Sequence, residues 1–244
     1  MKIPDPIFPP LLKGHPVESD QDAFETACGG AVSGRLGAGD VVWSRNPYTL
    51  DLAIVLEPDV PAATAVQMMP LLMVAVGDSI GALTPPQVGQ TFTWPDIVRI
   101  NGGEAGVVRG ALPKDASPDT APAWLVVGFG MRHMRGPKDP EPGEVPDITW
   151  LGEEGGGELT RTDMIESFCR HFLTWLNHWD DEGFKPVHES WTYRAEERGG
   201  DITVESGGES VTGAFVGLDD GGNLLVRRDG RHISFALLDR FERR

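Results

Sequence analysis

The chain has 244 residues, and 37 Asp and Glu against 21 Lys and Arg leave a formal net charge of −16, with a pI near 4.7. That balance repels phosphodiester backbones and anionic bilayers, which argues against nucleic acid or a membrane as a partner. No apolar run approaches the roughly 18 residues needed to span a bilayer, and residues 1–6 lack the apolar block of a leader, so the cytoplasm is the expected compartment.

The length suffices for one sizeable core and a small appended module. Pro4, Pro6, Pro9 and Pro10 make the first dozen residues an extended arm, laid on the core by Ile7, Phe8, Leu11 and Leu12. Ser19 followed by Asp22 has capping-box spacing and predicts a helix from near Asp20, with Ala23, Phe24, Ala27, Cys28 and Ala31 on one face. Gly34, Gly37 and Gly39 end that helix as C-cap and turn. Residues 39–44 then read as a strand, Arg45 to Thr49 as a short turn, and residues 50–57 as a central strand. Pro61 opens a helix in which Val66, Met69, Met73, Val76, Ile80 and Leu83 recur at three- and four-residue spacing, with a kink expected at Pro70. Cys28 and Cys169 each fall inside a helical pattern, which predicts buried free thiols rather than a disulfide.

Trp94-Pro95 leads into a hairpin: residues 97–100 alternate apolar and polar, Asn101-Gly102 is the strongest two-residue turn signal, and Val107-Val108 resumes the strand. Residues 114–122 form a polar loop, and residues 123–131 the most apolar strand of the chain. Its Gly128 and Gly130 stand where glycine marks close approach of a ligand or another backbone. Residues 136–157, rich in proline, glycine and acid, read as a mobile excursion. Thr160 and Asp163 cap a long amphipathic helix whose Ile165, Phe168, Cys169, Phe172, Leu173, Leu176 and Trp179 line one side as far as Gly183. His171 and His178 share a face without a third ligand at metal spacing, so no metal site is expected. The Gly199-Gly200 hinge divides residues 1–198 from residues 199–244, which read as four or five short strands with a turn at residues 219–222. Six arginines against three acids in the last eighteen residues make that end locally basic.

Taken in order, these elements resemble the biotin/lipoate protein ligase family along nearly the whole chain. Trp94-Pro95-Asp96 resembles the core of the family's Lys-Trp-Pro-Asn-Asp loop, Ile100-Asn101-Gly102 its turn, and Ala105-Gly106-Val107 the element that follows. Gly128-Phe129-Gly130-Met131-Arg132 resembles its Gly-x-Gly-x-Asn strand end, and Gly213 to Leu225 the small barrel that closes the chain. The resemblance implies an α+β fold, a mixed sheet flanked by helices, followed by an SH3-like β-barrel. It also implies a groove formed by Thr93, Trp94, Pro95, Asp96, Asn101, Glu104, Gly106, Val107, Gly128 and Gly130.

Members of the family make an acyl adenylate from biotin or lipoate and ATP with Mg, then pass the acyl group to a lysine of a carrier domain. Bringing a carboxylate to the α-phosphate joins two anions, a repulsion that cations or fixed donors must offset. Here the place of the family's glycine/arginine loop falls either to Gly34-Arg35-Leu36-Gly37-Ala38-Gly39, with a single arginine, or, in the better register, to the short turn Arg45-Asn46-Pro47-Tyr48-Thr49. Thr93 replaces the lysine before the tryptophan, and Gly103-Glu104 replaces the lysine before the Ala-Gly step. The first expectation is a ligase-like protein with lost or reduced adenylate formation that binds a small acyl ligand or a partner domain. The second is a working ligase in which Arg45, Arg109 and Arg132 supply the missing charge, and the third is an interaction module whose groove is filled by its own side chains. A homodimer is compatible with each.

Overall fold

The computed structural model describes residues 4–141 and 144–244. Residues 1–3 of the expected arm and 142–143 of the expected excursion lie outside that set.

An eight-stranded mixed sheet organises the chain. In chain order its strands are β1 (Lys13–Val17), β2 (Asp40–Ser44), β3 (Thr49–Leu56), β4 (Gln90–Thr93), β5 (Ile97–Ile100), β6 (Gly103–Leu112) and β7 (Leu125–Arg132), arranged β1-β2-β3-β7-β6-β5-β4. The eighth, the C-terminal Glu242–Arg243, runs parallel to β6, and β1 runs parallel to β2. All other neighbours are antiparallel. The turn signal at Asn101-Gly102 is realised: both residues adopt left-handed backbone (φ 50° and 87°), as the tight β5–β6 hairpin requires. β1 was not foreseen, because a five-residue edge strand containing Pro16 carries no alternating pattern.

Alternation along β3 and β7 divides the core. On one face α1 (Ala23–Val32) packs Phe24, Ala27 and Cys28 against Val42, Ala53, Val55 and Val126. On the other, α3 (Met68–Leu83) and α4 (Arg161–Glu182) cover Trp43, Leu50, Leu52, Ile54, Val127 and Phe129. Phe129 meets Phe168 of α4 edge to face at 4.9 Å, and burial of each such ring contributes about 2–3 kcal/mol. A last helix of this part, α5 (Lys185–Tyr193), buries Trp191 against Phe92.

Three local expectations are corrected. The cap of α1 is Asp22, whose carboxylate accepts the Glu25 N–H at 2.9 Å, and not Ser19, so the helix starts three residues late. The break in the second helical stretch falls at Val66-Gln67, between α2 (Ala62–Ala65) and α3. Pro70 then sits in the first turn of α3, where a missing N–H costs nothing. Of the four arm anchors, Phe8 and Leu12 pack inward, while Ile7 and Leu11 are 79% and 77% exposed.

By length and composition residues 62–83 could cross a membrane, contrary to the expectation that no stretch comes close; here most of the stretch is buried in the core as α2 and α3. The expected excursion is partly tied down, since Glu104 of β6 receives Thr149 N–H and gives its own N–H to Asp147. The Thr160/Asp163 capping box is present with both reciprocal bonds.

Beyond α5 come β8 (Asp201–Ser206), β9 (Glu209–Leu218), β10 (Leu224–Arg228) and β11 (Arg231–Phe235), an antiparallel sheet in the order β11-β10-β9-β8. Among the described residues no ladder joins β8 to β11. Val204, Leu218, Leu224, Val226 and Leu237 enter the same core as α3 and α5. Gln67 donates to Asp220 O across the junction at 2.9 Å. The chain then returns to the large sheet as β12 (Glu242–Arg243).

Candidate functional site

A groove of about 340 Å³ opens on the α1 face of the large sheet, beyond the N-terminal end of α1. Its floor comes from β6 and β7, where Gly106 and Gly130 lie between Val107, Phe129 and Met131; its rim holds Asp22, Asp51, Arg109 and Arg132. The two floor glycines matter for different reasons. A Cβ on Gly106 would strike Gly130 O and Met131 Cβ at 2.9 Å, so the strands need its small size. A Cβ on Gly130 would meet nothing within 4 Å, so that position keeps the floor open. Gly128, one step deeper, does not line the groove; its Cβ would lie 2.6 Å from Leu52 O, a constraint of β3–β7 packing.

Arg109 lies over the Phe24 ring at 4.1 Å and donates to Asp22 at 3.0 Å, Glu25 at 2.6 Å and Glu242 at 3.1 Å. Burial opposes its charge, but the hydrogen bonds to Glu25 and Glu242 outweigh that and hold its pKa above the usual arginine value. Arg244 completes the cluster by binding Glu25 at 2.5 Å and Glu242 closely. The hydrogen bonds from Arg244 and then Arg109 pull Glu25 down to about 2. Across the groove Arg132 donates to Glu104 O at 3.0 Å and reaches its carboxylate at 3.5 Å. Asp51 accepts the Ala23 N–H at 3.0 Å, yet burial raises its pKa. Four carboxylates, of Asp22, Glu25, Glu104 and Glu242, therefore pair with three guanidinium groups, a formal excess of one negative charge before Asp51 on the rim is counted.

The remaining residues singled out from the sequence lie elsewhere. Trp94 is 5% exposed; its indole N–H donates to Gly222 O at 3.3 Å, and the Arg240 guanidinium lies over the ring at 4.9 Å. Trp94 thus fills the junction with the C-terminal sheet. Pro95 follows it through a cis peptide bond. Asp96 accepts the Val108 N–H on its carbonyl, and its carboxyl is pushed up to about 6, chiefly by burial and against the pull of Arg240. Thr93 accepts from Arg99 at 3.2 Å. Asn101 joins Gly89 to Glu154 beside a second cavity of about 240 Å³. Arg45 pairs with Asp5 and Glu18 and faces Trp43, away from the groove. Among the described residues no group of three His, Cys, Asp or Glu side chains could hold a metal ion.

The structure thus brings together Gly106, Val107, Gly130, Arg109 and Arg132 in the groove, with Glu104 held beside it by Arg132, and disperses the rest. Sequence reasoning missed Asp22, Phe24, Thr49 and Asp51 on the rim. Asp51 was within reach: it interrupts the apolar run of β3 on the face shared with Ala53 and Val55.

A mixed sheet with helices on both faces, a glycine-floored groove on one of them and an antiparallel C-terminal sheet define a scaffold of the biotin protein ligase type. The sequence profile of the biotin/lipoate A/B protein ligase family matches residues 8–193, and that of the biotin protein ligase C-terminal domain matches residues 199–236. The chain belongs to the biotin/lipoate A/B protein ligase family. It is 29% identical over 177 residues to a biotin--[acetyl-CoA-carboxylase] ligase of Paracoccus denitrificans, covering 71% of this chain and 72% of that one. A crystal structure of a biotin protein ligase-like protein of unknown function from Silicibacter sp. TM1040 superposes with a TM-score of 0.85 at 35% identity, covering 96% and 98% of the two chains. The biotin protein ligase of Aquifex aeolicus shares the fold, with a TM-score of 0.72 at 17% identity over 92% and 93%.

Proposed function

We propose that this protein keeps the ligase groove as a binding site for a small acyl group, of the biotin or lipoate kind or presented by a carrier domain, with adenylate formation lost or much reduced. The observation that carries this reading is the charge at the rim. Arg109 and Arg132 are both engaged by carboxylates of the same chain, and the cluster is net negative. An ATP triphosphate or a free carboxylate entering there meets repulsion where adenylation needs attraction. The open floor at Gly130 speaks against a groove filled by its own side chains.

Calorimetry with biotin and lipoate, each as acid and as amide, and with ATP and Mg, paired with a pyrophosphate-release assay on the acids, tests the proposal. Acyl binding without pyrophosphate release supports it, and sustained release refutes it. A second reading, an active ATP-dependent ligase, is favoured by one observation: Arg109 and Arg132 do line the same open groove. On that reading Arg109→Ala and Arg132→Ala each abolish turnover while Arg45→Ala does not. The cytoplasm remains the proposed compartment, and residues 1–198 and 199–244 the proposed division of the chain.

A further inference from the structure

The carboxylate that finishes neutralising Arg109 comes from the far end of the chain. Phe241 lies over Gly110, where an added Cβ would sit 2.3 Å from its ring, and this contact leads the chain back onto the large sheet. β12 then pairs in parallel with β6, Glu242 opposite Ala111 and Arg243 opposite Leu112, and Arg244 N–H closes on Leu112 O at 2.9 Å. This register sets Glu242 beside Arg109, two residues earlier on β6. Arg244 cross-links Glu242 to Glu25 of α1, so the strap, the helix and the groove arginine form one charge cluster.

We propose that Glu242 sets the charge selectivity of the groove: with Asp22 and Glu25 it occupies Arg109, so the site takes an acyl group whose carboxyl is already a neutral amide and disfavours the free acid. This rests on the acyl-binding reading above and deepens it, since a neutral acyl amide is what a lysine-conjugated acyl group presents. The favoured ligand is therefore the conjugate and not the acid that would be activated. Attraction between a carboxylate and an arginine that already holds three others is offset by the surrounding negative charge, whereas an amide is indifferent to it.

The test is calorimetry on the full chain with four probes, biotin, biotin amide, lipoic acid and lipoamide. Each amide is expected to bind about ten-fold tighter than its acid. Glu242→Gln, nearly isosteric, is expected to improve binding of the acids relative to the amides, closing most of the gap. Raising the salt from about 20 mM to about 1 M should narrow the gap in the unaltered protein as well, which keeps the idea testable should the variant fold poorly. Acids that bind as well as amides to the unaltered protein overturn this inference and leave the acyl-binding reading standing. Absence of binding by all four probes overturns both.

Discussion

Replacing Gly130 by valine separates the groove from the fold. A side chain at this position points into open space, with no heavy atom within 4 Å of its Cβ. The unliganded protein should therefore accept it: strand preference favours valine over glycine on a scale of about 1 kcal/mol, so stability should hold or rise slightly. A ligand lying on the floor meets three new carbon atoms. Lifting its acyl chain clear uncovers on the order of 100 Å² of apolar surface, about 2.5 kcal/mol at 25 cal/mol per Å², or about 70-fold in affinity. Gly128→Ala is the contrasting variant. Its Cβ would sit 2.6 Å from Leu52 O and 2.8 Å from Ala53 Cβ, an overpacking worth about 1–3 kcal/mol. Urea unfolding followed by tryptophan fluorescence gives the stability of each, and calorimetry with the tightest of the four acyl probes gives affinity. The reasoning is refuted if Gly130→Val costs more than about 2 kcal/mol of stability, or if it leaves acyl binding unchanged.

Glu25, held at about 2 by Arg244 and Arg109, has a folded pKa below its ordinary 4.5. It therefore contributes stability above pH 4.5 that is lost as pH falls toward 2. The stability gap between the unaltered protein and Glu25→Gln should shrink across that window, and a gap independent of pH would contradict the ion-pair assignment. Cys28 and Cys169, both buried with thiols pushed up to about 12 by burial, should stay unreactive toward a thiol reagent in the native protein and react together in denaturant; native labelling of either would argue against the packing described. Asp78 accepts from the Trp175 indole at 2.8 Å and from Arg194 at 2.6 Å. Asp78→Ala should cost about 2–3 kcal/mol by urea unfolding, and its effect should fall markedly in an Arg194→Ala background.

Much of the architecture was legible because the chain signals locally. The Asn101-Gly102 turn, the Thr160/Asp163 box and the apolar strand ending at Gly128 and Gly130 are short-range patterns whose physics needs no partner, and each appears as read. The site was less legible. Trp94 and Asp96 stand out in sequence beside Val107, yet they pack toward the C-terminal sheet while Val107 faces the groove. Neighbours along a hairpin point to opposite sides of a sheet, and a motif does not say which side is hollow.

By itself the sequence determined the succession of helices and strands, the family and the scarcity of lysine where positive charge was expected, since these rest on composition, periodicity and motif spacing. Only the tertiary structure decided which arginines face the groove and what their charge is worth there. Arg45, Arg109 and Arg132 look equivalent as letters. Folding sends the first to Asp5 and Glu18 and brings Glu25 and Glu242, 84 and 133 residues away, onto the second. Electrostatic work depends on distance in space, and parallel pairing of the last strand with β6 sets that distance through a register no local pattern encodes.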